Sequence, residues 1–218
     1  SLAVSVIHYF HARRVLDFSA GWGDRLAGAI AANVDRYTAY DPNTALQKGH
    51  NALITRYGQN RQRDYVIHYI PFEAATVEED EYDLVFTSPP FFDFEIYTSL
   101  PGQSVDAHPT LDQWVVNFLF ASLRKAWTGL RVGGHCVIHL TDVYQTKVCE
   151  RMCLLVQWLL PNARYVGVMC SLGKQENPRP LWVFGKSENS FEERKKTAES
   201  ELRRLYPSTY DMVVAWLV

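Results

Sequence analysis

Apolar residues in this chain fall into short runs that stop on glycine, proline or aspartate, separated by longer stretches where they recur every third or fourth position. The short runs predict strands, and the longer stretches predict helices laid against them. Leu2–Phe10, with Val4, Ile7 and Phe10 at helical spacing, predicts a helix packed on the sheet edge. Arg13–Asp24 predicts a strand and a glycine turn, leading into a helix over Arg25–Asn33 that is rich in alanine and leucine. Tyr37–Tyr40 predicts a second strand ending at Asp41-Pro42-Asn43, followed by a helix over Ala45–Tyr57 and a polar loop over Gly58–Asp64. Tyr65–Ile70 alternates as a third strand and closes on Pro71-Phe72-Glu73. The run that starts at Glu81 is a fourth, apolar enough to be covered on both faces.

Beyond that strand the periodicity lapses. Phe91–Thr110 predicts a long surface loop, and loops of such length in a compact domain commonly serve as substrate lids. Leu111–Leu130 predicts an amphipathic helix, Gly133-Gly134 a turn, His135–Thr141 a strand, and Thr146–Leu160 a helix stopped by Pro161. Arg164–Cys170 and Leu181–Gly185 predict two last strands joined by the polar stretch Gly173–Arg179. Glu192–Leu205 predicts a helix whose basic residues Arg194, Lys195, Lys196, Arg203 and Arg204 form a solvated face. No repeat or linker interrupts the alternation of strands and helices. It predicts one α/β domain over 1–218, a doubly wound, mostly parallel sheet flanked by helices.

Composition narrows the partners more than the fold. A chain of 218 residues with 47% hydrophobic and 13% aromatic content can bury a large core without disulfide or metal staples. Its net charge of −2 supplies no global basic field, which argues against a stand-alone, high-affinity duplex binder. Cys136, Cys149, Cys153 and Cys170 show no CxxC spacing and read as reduced packing residues, with no metal expected. No apolar run reaches membrane-spanning length and no cleaved signal is present, so no membrane partner is expected and the location is expected to be intracellular, cytoplasmic or nuclear. The abrupt start in helical sequence is what a chain continuing before Ser1 would show.

Candidate chemistry concentrates at two strand ends. In the first βα turn, Gly21 and Gly23 permit close backbone approach to a ligand, and the amides of the following helix point into the turn. Asp41, ending strand two, is placed to accept hydrogen bonds from ribose hydroxyls. A dinucleotide fingerprint would carry a third glycine where this chain has Leu26, so a cofactor without pyrophosphate fits better. The second site is Ser88-Pro89-Pro90-Phe91-Phe92 after strand four. Neither proline can continue a ladder, so the segment becomes a rigid loop of carbonyls, one hydroxyl and aromatic rings. A planar base with an exocyclic amine suits such a loop. His139 in strand five reads as a core histidine, and Thr141 and Asp142 end that strand at the same edge.

Together the run Asp17–Gly23, Asp41 and Ser88-Pro89-Pro90-Phe91 resemble the class I S-adenosylmethionine-dependent methyltransferases, and more narrowly those acting on adenine N6 or cytosine N4 in nucleic acid. The resemblance implies a Rossmann-like methyltransferase sheet with S-adenosyl-L-methionine as cofactor. It implies that Asp17, Ala20, Gly21 and Gly23, with Ser19 and Trp22 in the same turn, line the methionine end. Asp41 would hold the ribose, and the Phe72-Glu73 turn would approach the adenine. Ser88, Pro89, Pro90 and Phe91 would be catalytic, and Phe92, Phe94 and Tyr97 would either grip the base or anchor the lid. Ser88, where relatives carry Asp, Asn or Ser, leans toward cytosine N4. The implied partner is DNA or RNA, single-stranded or with a flipped base, and a second protein for target recognition is left open. Two alternatives stay open at this point: an amine or amide on protein or a small molecule, and a catalytically silent subunit that binds RNA or stabilises a partner.

Overall fold

The computed structural model describes residues 1–92, 103–171 and 179–217. Its centre is a seven-stranded sheet in the order β3-β2-β1-β4-β5-β7-β6. The strands are β1 (Arg14–Asp17), β2 (Arg36–Tyr40), β3 (Tyr65–His68), β4 (Tyr82–Thr87), β5 (Leu130–His139), β6 (Ala163–Ser171) and β7 (Arg179–Lys186). β3, β2, β1, β4 and β5 pair in parallel, and β7 inserts antiparallel between β5 and β6. The chain winds outward from β1 to β3 and then returns to place β4 on the other side of β1. That reversal opens a crevice at the carboxyl ends of β1 and β4, where ligands of open α/β sheets bind.

Burial follows from this order. Every residue of central β4 is buried, whereas edge strand β3 buries Tyr65, half-buries Ile67 and exposes Val66 and His68. On one face lie α1 (Leu2–Tyr9), α2 (Asp24–Ala31) and α3 (Gln47–Tyr57), with Val6, Ile7, Leu26 and Ala29 packed on Val15, Leu84 and Val137. On the other face, α6 (Ala121–Gly129), α7 (Val148–Leu159), α8 (Glu192–Leu205) and α9 (Pro207–Leu217) cover Leu16, Val85, Ile138 and Phe184. α9 has no counterpart in the pattern read from sequence. Among the described residues of the expected loop Phe91–Thr110 there is one short helical turn, α4 (Ser104–Ala107). The expected helix Leu111–Leu130 forms in three contiguous pieces: α5 (Leu111–Gln113), a π-helical stretch Trp114–Phe120, and α6. α5 opens on a capping box in which Thr110 and Gln113 satisfy each other's backbone amides. No described helix is long and apolar enough to cross a membrane.

β5 begins at Leu130 and runs through Gly133 and Gly134, where the sequence predicts a turn. A shift in the β4–β5 register between Tyr82 and Leu84 absorbs the irregularity, with Gly133 at φ +82°. A Cβ on Gly134 would sit 2.7 Å from the Leu130 side chain, 2.9 Å from the Arg131 carbonyl oxygen and 3.0 Å from the Asp83 carbonyl oxygen. Two of these neighbours are backbone and cannot swing aside. Gly134→Ala is therefore expected to cost about 1–3 kcal/mol. In a domain of this size that is a fall in Tm of roughly 2–12 °C, and an unchanged Tm would show that the strand pair relaxes freely.

Candidate active site

The turn after β1 is organised by the last residue of that strand. Asp17 is fully buried, and one of its oxygens accepts from the Ser19 amide at 3.1 Å. The other accepts from Arg25 Nε at 2.7 Å and from the Tyr37 hydroxyl at 2.8 Å. Burial, and then the carboxylate beside it, push the Tyr37 phenol well above its ordinary range, so it remains a donor. Arg25 also donates to the Ser19 carbonyl. Asp17 therefore spends its charge on holding the turn, and its side chain is closed off from solvent.

Gly21 and Gly23 both lie in the left-handed region, at φ +55° and +92°, and Gly23 caps α2. The Gly21 amide donates to Asp41 at 2.8 Å, and the Gly21 carbonyl lies 2.9 Å from His50 Nε2. His50, from α3, is buried, and its Nδ1 meets the Tyr69 hydroxyl at 2.9 Å. The glycine turn is thus clamped from both sides. On the outer side of Gly21 nothing lies nearer than 3.9 Å to the place a Cβ would take, which leaves room for a ligand against the backbone. Ser19 is half-buried, Ala20 is buried, and Trp22 stands 72% exposed on the rim.

Asp41 also accepts from the Asn43 amide at 2.9 Å. Burial raises its carboxyl above the usual range, while the Asn43 and Gly21 amides work the other way. One bond at each carboxylate oxygen leaves further acceptor capacity for two hydroxyls. Phe72 stacks on Phe18 with centroids 5.3 Å apart and meets Tyr40 edge-on at 4.9 Å, so its ring belongs to the core. Lys125 Nζ, from α6, donates to the Phe72 carbonyl at 3.1 Å, to that of Ala75 at 2.7 Å and also to that of Glu73, which fixes the turn. Burial lowers the Lys125 pKa.

At the end of β4, Pro89 is buried while Ser88, Pro90 and Phe91 are half-buried. The β4–β5 register pairs Thr87 with Ile138, which brings the next residues, Ser88 and His139, side by side. Ser88 Oγ lies 3.0 Å from His139 Nδ1, and the Phe91 ring meets the imidazole edge-on at 5.6 Å. Phe92, at φ +47°, turns its ring toward buried Trp114 at 5.9 Å. Phe94, Tyr97 and half of the expected lid fall in 93–102, outside the described residues. Among the described residues no cluster of His, Cys, Asp and Glu could hold a metal ion. All four cysteines are unpaired, and burial pushes the Cys153 thiol up to about 12.

No protein-family model matches the sequence, and no curated protein sequence does. Solved structures do match. TrmN from Thermus thermophilus is similar over 85% of this chain and 48% of its own, at 16% identity and a TM-score of 0.60; this chain spans about half of that one's length. An rRNA methylase from Streptococcus thermophilus is similar over 86% of this chain and 96% of its own, at 13% identity and a TM-score of 0.59. The O-methyltransferase of a trans-AT PKS multienzyme from Brevibacillus brevis, solved with S-adenosyl-L-homocysteine, covers 98% of this chain with 82% of its own, at 12% identity and a TM-score of 0.59. The chain has a methyltransferase fold.

Within that methyltransferase fold, the carboxyl edge gathers the β1 turn, Asp41 and the Ser88–Phe91 loop, from strands that are neighbours in the sheet. Sequence reasoning did not single out Arg25, Tyr37, His50 or Lys125 as parts of this edge. Each reaches it from another element, 8 to 53 residues away from the group it holds. His139 read as a core histidine in the sequence; it is half-buried, ends β5 at this edge and faces Ser88.

The Asp17–Arg25 pair, with side-chain exposures of 0% and 15%, leaves a buried guanidinium if broken from the acid side. Asp17→Ala is accordingly expected to destabilise the free protein by about 3–5 kcal/mol in denaturant titration. A loss below about 1 kcal/mol would show that Arg25 finds water instead.

Proposed function

We propose that this protein is an S-adenosylmethionine-dependent methyltransferase acting on an exocyclic amine of a nucleic-acid base, cytosine N4 or adenine N6. The observation that carries the reading is the Ser88-Pro89-Pro90-Phe91 loop at the crevice, with Ser88 and Phe91 half-buried beside the clamped glycine turn. The turn suits a cofactor without pyrophosphate: open backbone at Gly21, spare acceptor capacity on Asp41, and buried Leu26 where a third glycine would be. Bound there, the cofactor supplies an electrophilic methyl group.

The chain supplies the rest. Ser88 Oγ and the Pro89 carbonyl accept the two amine hydrogens, which draws the nitrogen lone pair out of conjugation with the ring. Phe91 stacks on the base, a contact worth about 1–3 kcal/mol. Positioning and preorganised dipoles provide most of the acceleration. The expected substrate is single-stranded or has its target base flipped out, and the likeness to an rRNA methylase favours RNA as the first substrate to test. O-methyltransferases share the fold equally well, so the Ser-Pro-Pro-Phe loop, not the fold, is the basis for choosing nitrogen as the acceptor atom.

Calorimetry is expected to show S-adenosylmethionine binding that Asp41→Ala weakens; tight NADH binding without any response to S-adenosylmethionine would overturn the cofactor assignment.

Ser88→Ala is expected to lower kcat and kcat/KM together by roughly ten- to a thousandfold while cofactor affinity persists, since the lost bond forms mainly in the transition state. Phe91→Ala is expected to raise KM instead. Nucleoside mass spectrometry of DNA and RNA, single- and double-stranded, identifies the substrate. Wild-type turnover by Ser88→Ala would defeat the mechanism.

A further inference from the structure

We infer that His139 is the proton acceptor of this site, acting through Ser88. The inference rests on the base-amine reading and adds the residue that takes the amine proton away.

Methylation of an amine leaves one proton too many on nitrogen. As the nitrogen lone pair forms the new N–CH3 bond, the methyl–sulfur bond breaks and its electron pair leaves with the sulfur. The nitrogen then carries a positive charge until an N–H proton departs. Neither proposed contact of the amine can keep that proton: the Pro89 carbonyl is barely basic, and a serine hydroxyl is no better. Three described aspartates of the same edge have other partners. Asp17 is sealed by Arg25 and Tyr37, Asp142 accepts the Cys149 amide at 2.9 Å, and Asp41, held by the Gly21 and Asn43 amides, has its remaining lone pairs taken by the cofactor's hydroxyls in the proposed complex.

His139 is different. Its Nδ1 stands 3.0 Å from Ser88 Oγ, one hydrogen bond from the expected position of the amine. With Nδ1 unprotonated, Ser88 donates its O–H to the ring and keeps both lone pairs for the amine hydrogen. When the amine proton moves to Ser88 Oγ, the serine proton moves to Nδ1. The products are a neutral methylated amine, a thioether and an imidazolium that later releases its proton to water. Phe91, edge-on to the same ring, ties the stacking face to the relay.

The surroundings keep the imidazole neutral beforehand. Burial lowers its pKa, and Arg179 of β7 and Arg25 of α2 add to that effect. From the neighbouring strands β4 and β7 it also meets uncharged Ser88 and, in register, Leu181. A protonated aromatic amine is a far stronger acid than imidazolium, so even a weakened imidazole accepts its proton downhill. The expected sign follows: the acceptor is available above the depressed pKa and is lost as pH falls through it, below the ordinary 6.5.

The test combines spectroscopy with kinetics. In the 15N-labelled protein at neutral pH, without cofactor, His139 Nδ1 is expected to resonate as an unprotonated nitrogen and to shift on Ser88→Ala. A protonated Nδ1 would overturn the relay. With a methylated substrate in hand, wild-type kcat is expected to fall on an acid limb below about pH 6.5. His139→Asn is expected to lose that limb and roughly ten- to a hundredfold in kcat, with calorimetric cofactor affinity kept. His139→Gln serves the same purpose if the asparagine variant does not fold. An active wild type whose histidine variants match it in rate and pH profile overturns the relay alone, leaving the Ser88 reading in place. Failure of the wild type to methylate any base overturns both.

Discussion

One buried carboxylate sets the geometry on which the site depends. Asp17 ends β1 in a place with no access to water, where an unpaired charge would be prohibitively costly. Its partners are drawn from three directions: the turn that follows through Ser19, the helix beyond it through Arg25, and the neighbouring strand through Tyr37. Meeting the hydrogen-bonding demand of one residue therefore fixes a strand end, a helix start and a strand pairing together. Such a pair contributes little net stability compared with a well-packed apolar replacement, but it specifies one arrangement.

The glycines build on that arrangement. Two left-handed residues in a row of three let the chain leave β1 and enter α2 without covering its own amides and carbonyls with side chains. Asp41 then holds Gly21 at its N–H, and His50 holds it at its carbonyl. A loop made of such permissive residues would pay heavily in entropy to order around a ligand, and the clamps meet that cost during folding. On the other side of the crevice, prolines perform the same service for Ser88, since their fixed φ leaves little freedom to lose. The crevice is thus bounded by two rigid walls of opposite construction, one of glycine held by side chains and one of proline held by its own rings.

Much of this was legible in the sequence. The strand–helix alternation, the glycine turn, Asp41 and the Ser-Pro-Pro-Phe loop are local signals, because backbone freedom and chain stiffness are properties of single residues and their neighbours. The errors were also local in origin. Gly133-Gly134 reads as a turn by its composition, yet it lies inside β5, where Gly134 is needed because the Arg131 and Asp83 backbones leave no room for a Cβ. α9 carries no strong amphipathic pattern of its own, and it is held by contacts such as those of Ser208 and Thr209 with Asp112, nearly a hundred residues earlier.

What the sequence by itself determined is most of the elements, α9 excepted, and the two strand ends where the candidate chemistry gathers. What only the tertiary structure decided is which side chains meet there. Ser88 and His139 are 51 residues apart, and no pattern along the chain shows that β4 and β5 lie side by side in the register that pairs Thr87 with Ile138. Asp17 looks like a ligand-facing acid in sequence, and burial turns it inward. The physical reason is the same in both cases. Propensity acts over a few bonds, whereas burial and strand register are set by the whole sheet at once, and those two decide whether a polar group faces a ligand, a neighbour or the core.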